Sequence, residues 1–301
     1  MTASATSVVL GVTHTPVDFE VPAGTCDCHV HVFGPASQYP LDPARAYTPG
    51  DASIEDLVAL HDALSVQRVV IVHPSPYGTD NSCTVDATRR LGERARAVSV
   101  IDAQISAMEL EDMHAAGVRG VRVNLETGGQ HDPTAARALL EKAAGRVAPL
   151  GWHVQTYTNL NVIGALHDVL LALPIALVVD HFGRAHAAEG TGQRGFAELL
   201  SLLRAGRAYV KISAAHRISK VSGFTDAGLL ARAFFEANPD RVLWGSDWPH
   251  PGGARQDPAV IEPFNPVDDG MGLNSVAAWF PDPAAQRRIL VENPARLYGF
   301  G

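Results

Sequence analysis

Eight short apolar runs rich in β-branched residues, each followed by an amphipathic stretch, constrain this chain more than any other feature. The runs cover residues 25–31, 68–73, 97–101, 120–124, 153–158, 176–180, 208–213 and 242–246. Helical patterns lie between and after them, at 54–64, 84–93, 107–116, 133–149, 161–171, 196–204, 226–237 and 283–291. Strands covered on both faces read as nearly continuous apolar runs, and these do. Eight βα units in 301 residues match a (β/α)8 TIM barrel in number, order and size. A doubly wound open sheet would carry a G-x-G-x-x-G turn after its first strand, and none stands there. The expected organisation is an arm, residues 1–24, followed by a single barrel domain, residues 25–301.

The composition narrows the function classes. A net charge of −8 without a basic block argues against nucleic acid, while a local arginine cluster can still hold an anionic substrate. No apolar run approaches the ~20 residues that span a membrane. Residues 1–20 lack the charged and apolar regions of a secretory signal. Cys26, Cys28 and Cys83 fit neither a zinc knuckle nor a C-x-x-C pair, and read as reduced thiols of a cytoplasmic protein. Strict alternation along the first strand turns Cys26 and Cys28 toward the helix layer and puts Asp27 on the face of His29 and His31.

The chemistry-bearing residues collect where the strands end. The first strand ends in His29 and His31, two apart and so side by side on one face. The second runs into His73-Pro74-Ser75-Pro76-Tyr77, the fourth ends in Arg122 and Asn124, and the fifth in Gln155 and Tyr157. The sixth ends in Asp180-His181, and the seventh leads into His216 and Arg217. The eighth leads into Ser246-Asp247-Trp248-Pro249-His250. Chance would scatter such groups over both ends of a barrel. Collection at the C-terminal end is the pattern of a barrel active site. Each residue alone has a plainer role: Asp247 as a helix cap, His181 on a backbone carbonyl, Arg122 and Arg217 in surface ion pairs. His153, at its strand's start, reads as a hydrogen-bonded histidine near the barrel floor. His14, His61, His114, His131, His167 and His186 fall in the arm, helices or loops and receive no role. Two long connections, 33–53 and 248–275, follow strands and so lie over the catalytic face.

The paired histidines, His181 and Asp247 resemble the amidohydrolase superfamily. The segments DCHVHVFGP, RAYTP, PSPYGTDN, GVRGVRVN, DHFGR, VKIS, LWGSDWPHP and ENPARLYGF resemble, more narrowly, its 2-pyrone-4,6-dicarboxylate hydrolase group. The resemblance implies a distorted barrel that hydrolyses a lactone. It makes Asp247 the general base on water and lets His29, His31 and His181 polarise the carbonyl. Tyr47, Ser75, Tyr77, Arg122, Tyr157, Arg217 and His250 match positions around the substrate. The chain departs from the group's pattern at Gly128, where the group has a second arginine, and at Gly252, where it has asparagine. A small anionic lactone with one carboxylate or sulfonate for Arg122 and Arg217 fits these departures better than a planar dicarboxylate. Sugar-acid lactones and sulfonated muconolactones stay open as substrates.

The resemblance implies no required cofactor. The alternative is one zinc or manganese ion on His29, His31 and Asp247, with His181 nearby. Competing readings are a lactone isomerase on the same site, a metal-dependent decarboxylase or amide hydrolase, and a non-enzymatic binding protein. The oligomeric state is not readable from the sequence.

Overall fold

A computed structural model describes residues 6–127, 129, 132–252 and 257–301. Eight parallel strands form one sheet: β1 (Cys26–Val30), β2 (Arg68–Val72), β3 (Ala95–Ser99), β4 (Val118–Asn124), β5 (His153–Tyr157), β6 (Leu177–Val179), β7 (Ala208–Ser213) and β8 (Val242–Gly245). Each pairs with the next in sequence, so the sheet curls progressively. The ring closes just beyond β8. There the Asp247 N–H donates to the His29 carbonyl and the His31 N–H to the Trp248 carbonyl, each at 2.8 Å. Gly245 permits the approach, because a Cβ there would lie 2.8 Å from the His29 backbone nitrogen.

The outward residues Val69, Ile71, Val121, Val154, Val179, Val210 and Ile212 join the helices in the main core. The helices are set by local signals. Ser53 and Ser106 close capping boxes with Asp56 and Glu109 at the starts of Ile54–Leu64 and Ala107–Ala115. Asp132 caps Pro133–Val147, with proline in the first turn. The expected helix over 161–171 is two short ones, Leu160–Ala165 and His167–Ala172, broken at Leu166. A further helix, Asp269–Trp279, occupies the end of what reads as a long loop. Its Gly270, Gly272, Asn274 and Ser275 are poor helix formers, so packing and the Asp268 cap carry it.

The arm forms a small hairpin, Ser7–Val9 against Val12–His14. It then lies along that helix: the Thr15 N–H donates to Asp268 Oδ1 at 2.9 Å, and Asn274 Nδ2 donates to the Pro16 carbonyl at 2.9 Å. The long loops meet above the barrel, where Thr48–Pro49 pairs in parallel with Ile261–Glu262.

One irregularity in β1 overturns the expected alternation. Asp27 pairs with Val69 and Val30 with Ile71, so Cys28 and His29 together face Val70. This bulge reverses the parity of the strand. Cys26 and Cys28 therefore point into the barrel, packed with Val70, Val72, Val98, Tyr209 and Tyr298, rather than toward the helix layer. His29 and His31 point inward above them. Asp27 points outward, 3.4 Å from His61 of Ile54–Leu64, and accepts the Ser246 N–H at 2.9 Å. His61 thus has a structural partner that its sequence position does not reveal.

Candidate active site

The C-terminal end of the barrel converges on Asp247. Its Oδ1 lies 3.6 Å from His31 Nε2, 3.6 Å from His181 Nε2 and 3.7 Å from His29 Nε2. These separations exceed a direct hydrogen bond. Its Oδ2 accepts from Arg217 Nη2 at 2.9 Å and Nε at 3.0 Å. Asp247 and His181 hold left-handed backbone at φ 76° and 48°, a conformation uncommon outside glycine and frequent where function fixes a side chain.

Tautomers follow from the partners behind each ring. His31 Nδ1 lies 2.7 Å from the Val72 carbonyl, which can only accept. The Nδ1–H therefore donates, and a neutral His31 presents a lone pair at Nε2. His181 Nδ1 sits 2.8 Å from Ser213 Oγ, which allows either tautomer. His29 Nδ1 stands between Asp180 Oδ1 at 3.2 Å and Lys211 Nζ at 3.3 Å. The carboxylate favours the proton on Nδ1; the ammonium favours it on Nε2.

Lys211 is the residue that sequence reasoning missed. It is fully buried, with Nζ donating to Gln155 Oε1 at 2.7 Å and lying 3.7 Å from Asp180. A lone lysine within the apolar run AYVKIS is the signal that it faces a polar interior. Asp180 also accepts from Gln155 Nε2 at 3.2 Å and Arg122 Nη2 at 3.3 Å. This layer fixes the rings above it.

Burial sets the protonation states. It pushes His29 down to about 3 and His181 well below the usual imidazole value. Burial raises Asp247, but the Arg217 guanidinium outweighs it and holds the carboxyl well below the usual range. Asp180 is held low in the same way, by its contact with His29 and the Lys211 ammonium against burial. At neutral pH the site presents ionised Asp247 beside neutral His29 and His181.

A cavity of about 50 Å³ opens in front of Asp247, lined by His31, Tyr47, Ser75, Arg122, Tyr157, His181 and Arg217 among others. The structure thus brings these predicted residues to one space; His29 lies fully buried just behind it. Tyr77 and His250 are not on its wall. The Tyr77 hydroxyl accepts the Gly34 N–H at 3.0 Å, tying the first long loop to the barrel. His250 Nε2 sits 2.9 Å from Asp269; burial lowers its pKa, but Asp269 outweighs it and leaves the pKa raised. Both follow motif residues in sequence without reaching the cavity wall, and His250 keeps a ring nitrogen within 4.8 Å of an Asp247 oxygen. Gly252 lines the cavity, whereas Gly128 lies outside the described residues.

His29, His31 and Asp247 place one ligand atom each within 4.8 Å of one another. The lone pair fixed on His31 and the carboxylate behind His29 are what a zinc-type ion asks of its ligands, so the donor set fits one.

Known proteins match across nearly the whole chain. A family model described as amidohydrolase covers residues 26–300. The 2-pyrone-4,6-dicarboxylate hydrolase of Comamonas testosteroni is 39% identical over 290 residues, 93% of this chain and 92% of its own. The 4-sulfomuconolactone hydrolase of Rhizobium radiobacter is 38% identical over 287 residues, 94% and 93% of the two chains. An apo crystal structure from Agrobacterium tumefaciens is 27% identical with a TM-score of 0.79, covering 95% of this chain and 99% of that one. With the family pattern present from β1 to the last helix, this chain belongs to the amidohydrolase family.

Proposed function

We propose that this chain is a lactonase, opening the ester of a small acidic lactone with water activated by Asp247. The observation that carries the reading is the convergence of three imidazole nitrogens and a guanidinium on the two oxygens of one buried carboxylate, facing a cavity. The lactone hydrolases among its relatives support the reaction class.

Water held between Asp247 and the Nε2 lone pair of His31 loses its proton as it attacks the carbonyl carbon. His29 and His181 present Nε2–H to the carbonyl oxygen, and Lys211 favours that tautomer of His29. Such donors strengthen as charge develops on oxygen, worth on the order of 3 kcal/mol each when preorganised. The C–O bond breaks, and the ring oxygen takes the proton that Asp247 accepted.

Arg122, Tyr47 and Ser75 hold the substrate carboxylate, the arginine through paired donors that also orient the ring. Arg217 has two jobs. In the free enzyme it keeps Asp247 ionised, which also makes it a weak proton acceptor. A substrate anion offers the guanidinium a second partner, and drawing Arg217 away raises the basicity of Asp247 as substrate arrives.

We read the reaction as requiring no metal. A divalent ion on His29, His31 and Asp247 would polarise the carbonyl and acidify water. It would also stand beside the Arg217 and Lys211 cations, which lower the affinity for a second positive centre. The cytoplasm suits three unpaired thiols. Among the described residues no helix is long and apolar enough to cross a membrane.

The test is metal content, with turnover of a panel of acidic lactones before and after chelation and products identified by NMR. Substoichiometric metal, unchanged activity and an open-chain acid support the reading. Activity that vanishes with one tightly held ion makes His29 and His31 ligands. An isomeric lactone as product makes the enzyme an isomerase.

A further inference from the structure

The cavity before Asp247, at about 50 Å³, is too small for a lactone ring with its substituents. Pockets that enclose small ligands run to roughly 300–1,000 Å³. A second chamber of about 490 Å³ adjoins it, and Tyr157, His181 and Arg217 belong to both walls. A lactone with its ester at Asp247 would extend past these three shared residues into the chamber.

The chamber has a definite chemistry. Arg184, His186 and Lys220 line it, with Ala185 and Ile218 as its apolar part. No carboxylate stands among its lining residues. Arg184 comes from the turn that follows His181 and holds left-handed backbone at φ 55°. Its Nη1 donates to the Tyr157 hydroxyl at 2.8 Å, and its Nε lies 3.3 Å from Glu126. Nη2 has no hydrogen-bond partner among the described residues. Glu126 offsets part of this charge; Lys220 has no carboxylate within ion-pair distance among the described residues.

We propose that this chamber is a second anion subsite, in which Arg184 and Lys220 bind an anionic group of the substrate distal to the one held by Arg122. The proposal rests on the lactonase reading and replaces the single-anion expectation drawn from Gly128 and Gly252 with a dianionic lactone. It also supplies, beside Tyr157, a cation for a second acid, a role for which Gly128 has no side chain. Carboxylate and sulfonate share the chemistry that these two cations recognise.

Two matched pairs of probes test the subsite: 2-pyrone-4,6-dicarboxylate against 2-pyrone-6-carboxylate, and 4-sulfomuconolactone against muconolactone. The wild-type enzyme should prefer a dianionic member by kcat/KM, the preferred pair showing whether carboxylate or sulfonate is taken. Arg184→Met and Lys220→Met should each raise KM for that dianion about tenfold and shrink the preference accordingly. Lys220→Glu, at an exposed position with little bearing on folding, should shrink it further. Wild-type enzyme that turns over both members of each pair equally, or variants that keep the wild-type preference, overturns the subsite and leaves the lactonase reading standing. Turnover of none of the four overturns the subsite, and the lactonase reading then stands or falls on the sugar-acid lactones of the wider panel.

Discussion

The inside of this barrel is two unlike layers on the same strands. The floor is apolar: Cys26, Cys28, Val70, Val98, Val178, Tyr209 and Leu243 close over Tyr298 and Phe300. Arg68 and Arg96 cover the outer face of Phe300 at 5.4 and 4.7 Å. Further along, the strands and the residues just beyond their ends carry His29, His31, Gln155, Lys211 and Asp247, all buried. The floor gains stability from apolar burial. The upper layer buries charges whose desolvation must be offset by their partners, which stabilises little but fixes geometry. Stability and reactivity are thus stacked along the barrel axis, and substitutions in the two layers should separate them.

The largest expected effect is on rate, from the upper layer. Asp247→Asn should lower kcat by about 10⁴-fold, roughly 5 kcal/mol in the barrier, with the fold retained by circular dichroism. Turnover near the wild-type rate would remove Asp247 as the base. The next effect spans both layers. Burial holds His29 and His153 at about 3 and His73 at about 4, against about 6.5 in an unfolded chain. These folded-state values are depressed, so the neutral rings are fully compatible with the fold above pH 6.5 and the chain loses stability as pH falls below it. Three protons taken up on unfolding give a slope of about 4 kcal/mol per pH unit near pH 5. Urea midpoints that stay level between pH 6.5 and 5 would contradict this.

Arg122→Met should raise KM for acidic lactones by about thirtyfold, roughly 2 kcal/mol of lost charge-assisted hydrogen bonding. An unchanged KM would take Arg122 out of the anion site. The smallest effect belongs to the floor. The fully buried Tyr298 hydroxyl has no hydrogen-bond partner among the described residues, so Tyr298→Phe should raise stability by about 1 kcal/mol without changing kcat. A lower melting temperature would show that the hydroxyl is satisfied in solution.

The apolar runs made the strands and their order legible, and the polar residues at their ends made the upper layer legible. The bulge at Cys28 and His29 left no trace, because every residue of CDCHV is buried and either parity reads alike. Lys211 escaped for a related reason: inside a strand it looks like an outward residue until the partners of β5 and β6 are known. Tyr77 and His250 lie off the cavity wall, since standing next to site residues in sequence does not settle which way a side chain turns. The pairing of Arg217 with Asp247 joins two predicted residues whose contact depends on loops that no periodicity describes.

The hydrogen bonds that join His29 to Asp247 and Trp248 to His31 also tie catalytic competence to chain completion. These contacts bridge more than 200 residues of sequence, the kind of pairing whose loop-closure cost makes it slow to form. An unclosed barrel has His29 and His31 at one open edge and its base at the other. Turnover should therefore be among the last properties regained on refolding, after secondary structure and most tryptophan burial. A circular permutant cut at the exposed Ala103–Gln104 bond, ahead of the helix Ala107–Ala115, would keep this joint within continuous chain, whereas one opened near Asp247 would lose the reaction before it lost the fold.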